Sequence, residues 1–279
     1  MRNFCFMVNI FAKLKEAIKW IFCNYIIKKK RRKKHLHFQR LSSTNNYLND
    51  LVKKYPPNVI PPYFAVTANE QISGRGQQEK KWESETGKNL LLSLLLYPNV
   101  LPVKQFVVCQ YISVAVAEFI KETFSIPNVY IKWSNDIYIG DKKAAGILIE
   151  HFICGESINY TIAGIGMNVN QTHFPSHLPN ATSLCLETGQ KYDVFTCKKG
   201  IIKKIKQIEK LPIPELKNRY LSYLYKKNVF SNFIVPKISD NPIPLKITGV
   251  NELGLLELLD ENNHLHCCAF NEIGYLGFA

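Results

Sequence analysis

The sequence predicts a mixed α/β (α+β) catalytic domain followed by a small β-domain. Three observations carry that prediction. Residues 90–97 form an almost wholly apolar run closed by Pro98, the pattern of a strand buried on both faces. Residues 103–124 repeat apolar side chains at helical spacing, with Phe106, Val107, Tyr111, Val114, Ala117 and Phe119 or Ile120 inward. Beyond about residue 230 the rhythm changes to short strands at 245–250, 254–259 and 264–270, separated by turn residues.

The other elements follow in order. Ser43 or Ser42 caps a helix carrying Tyr47, Leu48, Leu51 and Val52. The Pro56-Pro57 and Pro61-Pro62 pairs end it. Residues 63–67 read as a strand leading into a polar, glycine-containing loop over 69–88. Residues 129–133, 136–139, 145–152 and 160–166 read as strands, with Gly140-Asp141 as a turn. Two helices are expected near 194–210 and 214–227.

The chain has 279 residues, 46% of them apolar, enough to bury a real core and to exclude general disorder. No 18 uncharged apolar residues run together, so no ordinary membrane-spanning helix is expected. The net charge of +14 is uneven: residues 1–40 hold 12 Lys+Arg against Glu16 alone. The remainder holds 24 basic and 21 acidic side chains, a net of +3. Residues 1–37 therefore read as an extension of separate character, 38–230 as the catalytic domain and 231–279 as the small β-domain. In the extension, Phe4, Val8, Phe11, Leu14, Ile18, Ile21, Phe22 and Tyr25 recur at helical spacing before the basic run 28–34. Residues 4–34 would thus suit weak contact with an anionic membrane surface, or be dispensable. The eight scattered cysteines lack Cys-x-x-Cys spacing and read as reduced, mostly buried thiols of a cytoplasmic protein.

Three segments stand out for chemistry. In Gln71-Ile-Ser-Gly-Arg-Gly-Gln77, Gly74 and Gly76 free the backbone to cradle an anion, and Arg75 adds a fixed charge; alone, this is also a surface turn. Trp82 follows. In Lys132-Trp-Ser-Asn-Asp136, alternation puts Tyr130 and Lys132 on one face and Val129, Ile131 and Trp133 on the other. A lysine on a mostly buried strand calls for a partner: Asp136 or another acid, or the negative charge of a ligand. Asn135 and Asp136 equally suit a turn. In Gly164-Ile-Gly-Met-Asn-Val-Asn170, small residues at a strand end permit close approach, and Asn168 and Asn170 offer donors and acceptors.

In order and spacing, these segments resemble the biotin protein ligases. The resemblance rests on Gly74-Arg75-Gly76 with Trp82, Lys132-Trp133-Ser134-Asn135-Asp136, Lys143-Ala-Ala-Gly146-Ile-Leu148-Ile-Glu150 and Gly164-Ile-Gly166-Met-Asn168. Ser43-Thr44-Asn45 matches the start of that family's catalytic domain. The resemblance covers about residues 40–279 and implies a biotin/lipoate-ligase-like catalytic domain with a small C-terminal SH3-like β-barrel. Two positions depart from the family pattern: Ser134 stands for a proline and Glu79 for a glycine. Glu79 places an acid in a loop expected to close over a polyanion.

The implied activity is ATP-dependent ligation of biotin to a lysine of a biotin carboxyl carrier protein or domain of a carboxylase, through biotinyl-5′-adenylate. ATP with Mg²⁺ and biotin are the implied reactants. Lys132 and Arg75 are the implied catalytic residues, Lys132 on the biotin carboxylate and the acyl phosphate, Arg75 ordering the loop. Biotin is assigned to Ser43, Thr44, Asn45, Gln71, Arg75, Gly76, Gln77 and Lys132. The nucleotide is assigned to Gly74, Trp82, Asn135, Asp136 and Asn168. The resemblance fixes no metal ligand and leaves Asp136 either positioning Lys132 or meeting Mg²⁺. It implies a homodimer as an expectation. No two-helix pattern precedes the domain, so no specific DNA partner is expected. Alternatives are a non-catalytic biotin or adenylate sensor, and a lipoate or octanoate ligase of the same superfamily.

Overall fold

The computed structural model describes residues 34–55, 59–77 and 80–275. The apolar face and nearly all of the basic run expected in residues 4–34 lie outside them, as does Glu79. Seven strands build the main sheet: β1 (His35–Leu41), β2 (Ala65–Gln71), β3 (Leu90–Leu96), β4 (Val129–Lys132), β5 (Asp136–Ile139), β6 (Lys142–Cys154) and β7 (Ser157–Met167). Their order is β1-β2-β3-β7-β6-β5-β4, with β1 parallel to β2 and every other pair antiparallel. β1 is an addition to the sequence reading. Its His35–His37 start lies within the expected extension, beside a basic run that masks a short alternating pattern.

Five helices cover this sheet: α1 (Thr44–Lys53), α2 (Phe106–Phe124), α3 (Leu184–Thr188), α4 (Val194–Ile208) and α5 (Ile213–Tyr223). On one face Leu48, Leu51 and Val52 of α1 pack on Val66, Leu95 and Ile162. On the other face α2, α4 and α5 pack on Leu92, Leu94, Ala163 and Ile165. Helices on both sides explain why β3 is buried at every position and reads as an almost wholly apolar run. Residues 102–124 are long and apolar enough to cross a membrane by composition, yet in the fold α2 is the central core helix, buried from Val108 to Ile120.

The chain then forms β8 (Phe230–Val235), β9 (Ser239–Val250), β10 (Leu256–Leu259), β11 (Leu265–Cys268) and β12 (Gly274–Tyr275). They make an antiparallel sheet in the order β11-β10-β9-β8-β12, the small β-domain expected, with β8 and β12 additional to the strands read from sequence. Its core residues Phe233, Val235, Leu245 and Ile247 join the same apolar cluster as α2. Among the described cysteines, Cys109, Cys197 and Cys268 are buried, Cys185 and Cys267 half-buried and Cys154 exposed, and all six are free thiols.

Candidate active site

A cavity of about 540 Å³ opens between the N-terminus of α1, the segment 71–82 and the facing strands β3 to β7. That volume suits a small organic ligand. Ten of the predicted site residues line it: Ser43, Thr44, Asn45, Gln71, Arg75, Gly76, Gln77, Trp82, Lys132 and Asp136.

One end is a hydrogen-bond network. Ser43 caps α1 by accepting from the Asn46 amide. The Thr44 amide and hydroxyl both donate to Gln71 Oε1, at 2.7 and 3.0 Å. Ser93, fully buried in the middle of β3, donates towards Thr44 Oγ1 at 2.7 Å and Asn45 Oδ1 at 2.5 Å. Asn45 Nδ2 donates to Glu150 Oε2 at 2.7 Å. Ser93 was missed in the sequence reading, although a lone hydroxyl between leucines was its signal.

The glycine-containing segment is pinned to this network. Arg75 Nη1 donates to Asn46 Oδ1 at 2.8 Å, and Nη2 pairs with Glu150 Oε1 at 3.0 Å. The segment folds back on itself, with the Gly76 amide donating to Lys80 at 2.6 Å and the Trp82 amide to Gly74 at 3.0 Å. Gly74 itself does not line the cavity; a Cβ there would strike the Trp82 carbonyl, so its lack of a side chain serves this turn.

The Gly164-Ile-Gly166 pair serves the protein's own side chains. A Cβ on Gly164 would collide with the Asn45 amide, and one on Gly166 with the Trp82 indole. Gly146 stands 3.0 Å, at its would-be Cβ, from the same ring. The close approach predicted for a ligand is thus made first by Asn45 and Trp82.

The opposite end carries charge. Lys132 and Asp136 are cross-strand partners at the tip of the β4–β5 hairpin. Lys132 Nζ lies 3.3 Å from the Tyr138 hydroxyl and over the rings of Tyr275 and Tyr138, at 4.6 and 5.2 Å. Burial lowers its pKa from 10.5 to about 8. Nearby Asp136 opposes the shift, while Lys143, Lys80 and Lys226 add to it. Asp136 forms its direct ion pair with Lys143, at 2.7 Å. Lys143 also lines the cavity, as do Lys80 and Lys81 from the glycine-containing segment; its place in the Lys143–Glu150 motif does not by itself assign it a role.

Asn135 and Asn168, both assigned to the nucleotide, fall outside the lining. Both are buried: Asn135 Nδ2 bonds the Ile147 carbonyl, and Asn168 Nδ2 donates to the Thr182 carbonyl at 2.9 Å. Asn170 exchanges two hydrogen bonds with the backbone of Tyr192. Through these amide donors the three asparagines hold loops in place, while Asn168 Oδ1 is buried without a partner among the described residues. Among the described residues no group of three or more His, Cys, Asp or Glu could hold a metal ion.

Residues 37–168 match the model of the biotin/lipoate A/B protein ligase family. The bifunctional ligase/repressor BirA of Bacillus subtilis is 37% identical over 156 residues, 55% of this chain and 46% of that one. BirA of Escherichia coli is 29% identical over 220 residues, 78% and 67% of the two chains. The chain spans about half the length of the Bacillus relatives it matches. Among solved structures, the biotin protein ligase from Aquifex aeolicus in complex with biotin and ATP superposes with a TM-score of 0.70 at 26% identity. That match covers 87% of this chain and 98% of the other.

Proposed function

We propose that this protein joins biotin to a lysine of a carrier domain of a biotin-dependent carboxylase, using ATP. One observation carries the reading: a single cavity holds a fixed array of hydrogen-bonding groups at one end and two lysines at the other. The array of Ser43, Thr44, Asn45 and Gln71 suits a small polar head bearing both N–H and C=O, such as the ureido ring of biotin. Leu91 and Leu92 give apolar wall for the connecting chain. Lys132 and Lys143 then meet the carboxylate and the nucleotide phosphates.

The reaction joins two anions, so its first need is positive charge held in place. A biotin carboxylate oxygen attacks the α-phosphorus of ATP, and the bond to the bridging oxygen of pyrophosphate breaks. Lys132 offsets charge on the carboxylate and the acyl phosphate. Asp136 keeps Lys143 extended along the same wall. The carrier lysine, as a neutral amine, then attacks the mixed-anhydride carbonyl; an amide forms, AMP leaves and the amine loses a proton. No nucleophile from the enzyme is required. Trp82 and the segment pinned by Arg75 wall the anhydride off from water. Mg²⁺ would neutralise the polyphosphate. Phosphate oxygens and water would supply its ligands, as is usual for magnesium bound with a polyphosphate.

The test is biotin-dependent exchange of labelled pyrophosphate into ATP, followed by transfer to a purified carrier domain. Exchange that requires biotin and ignores lipoate is the expected result. Biotin binding without exchange would leave a sensor, and no biotin binding would remove the reading altogether.

A further inference from the structure

The C-terminal sheet reaches the charged end of the cavity. Its last strand, β12, pairs with β8 through Tyr275↔Phe233, and the two rings meet edge to face at 5.1 Å. From that support the face of Tyr275 lies 4.6 Å from Lys132 Nζ. The next residue is fixed from the same side, since Trp133 Nε1 donates to the Gly254 carbonyl at 3.1 Å. Phe270, whose ring lies 5.8 Å from that of Trp133, lines the cavity. Burial holds the Tyr275 phenol far above its ordinary pKa, so it faces the lysine as a neutral ring. The other wall is Tyr138, braced by Tyr225 at 5.5 Å; Tyr225 in turn donates to Asp141 at 2.6 Å.

We infer that Tyr275 is a positioning residue: its ring, delivered by the C-terminal sheet, caps the Lys132 ammonium and aims it into the cavity. The inference rests on the proposed ligation only for its link to turnover. A buried ammonium gains stability from the negative face of an aromatic ring. Held between two rings, it stays charged while its stem loses freedom, and it meets an arriving anion already oriented. Among the described residues, the charged groups that shift its proton affinity include Asp136 on β5, Lys143 on β6, Lys80 in the segment over the cavity and Lys226 before β8. None of them is altered when the ring of Tyr275 is replaced.

The test compares Tyr275→Leu with Tyr275→Phe in the full chain. Leucine keeps apolar volume and burial but has no π face; phenylalanine keeps the face and drops the hydroxyl. The readout is the NMR titration of the Lys132 ammonium in the ligand-free protein, assigned by its loss in Lys132→Arg. In the unsubstituted protein the midpoint falls near 8. In Tyr275→Leu it drops by ~0.5–1 pH unit, the size of a desolvated cation–π contact. In Tyr275→Phe it stays in place. Exchange should show kcat falling ~3–10-fold in the leucine variant, with the KM for biotin little changed. An unmoved midpoint in Tyr275→Leu overturns the inference, even if its Tm falls, because a purely structural role lowers Tm alone. An equal shift in both variants also overturns it, since the hydroxyl would then be responsible. If the midpoints behave as expected but no variant, nor the parent, supports exchange, the ligation reading fails and the capping of Lys132 stands.

Discussion

The two ends of the cavity are built on different physics. At the α1 end, Ser93, Thr44, Asn45, Gln71 and Glu150 are bonded to one another across β3, β6 and α1. Such a network is already in place before a ligand arrives and is expensive to leave half satisfied. At the β4–β5 end, Lys132 is held by rings and Lys143 by one carboxylate. The first end reads shape and hydrogen-bond pattern; the second stores charge for use. The difference teaches where substitutions should act: on binding at one end, on turnover at the other.

The sharpest way to break the contrast is Lys132→Ala. Its loss should reduce biotin-dependent pyrophosphate exchange by ~10²–10³-fold, the range for removing one group that stabilises developing charge. Biotin binding, measured by calorimetry, should change far less. A comparable loss in both would show that the two ends are not separable. Next in size is Gly166→Val. The new side chain enters the space of the Trp82 indole and forces it off β7. Overpacking of this kind costs ~1–3 kcal/mol. Trp82 should gain solvent exposure, seen as a red shift of its fluorescence against a Trp82→Phe reference, and exchange should fall at least ~10-fold. Unshifted emission would mean that the ring does not depend on this glycine.

Ser93→Ala probes the other end. It leaves two acceptors, Thr44 Oγ1 and Asn45 Oδ1, without their shared donor. A buried unsatisfied group costs ~1–3 kcal/mol. Thermal unfolding should register that loss, and the KM for biotin should rise more than the KM for ATP. Equal effects on both would erase the division of labour between the ends.

Most of the sheet was legible because it rests on local pattern. β3 and α2 announce themselves by unbroken burial, and α1 by Ser43 at its cap. The order of the motifs likewise predicted most of the cavity wall. What escaped depends on approach across the fold. Arg75 meets Glu150, Ser93 meets Thr44, and Tyr275 meets Lys132, each from a distant part of the chain. No spacing rule predicts such contacts. Gly164 and Gly166 were recognised as sites of close approach, but their visitors are Asn45 and Trp82. Asn135 and Asn168 lie behind the cavity wall with their amides donating to carbonyls, a placement no motif marks, because an amide in a motif does not show whether its partner is a ligand or the backbone.

The smallest effect separates the ends by pH. Burial depresses the Lys132 pKa from 10.5 to about 8, so the folded protein binds this proton less tightly than the unfolded chain. Between those two pH values the unfolded state carries the extra proton, so this group's contribution to stability should rise with pH across that window. Below about 8 the buried ammonium exacts its full cost; above about 10.5 the cost is gone. The open cavity screens the effect, leaving about 1 kcal/mol. Burial and nearby Lys199 depress Lys198 to about 8 as well, so urea unfolding of Lys132→Met should show a smaller rise than the parent, whereas Ser93→Ala should keep the parent's slope on a lower baseline. If Lys132→Met rises as steeply as the parent, the depressed proton affinity belongs to another group, and the charge at the β4–β5 end is not held in reserve by burial.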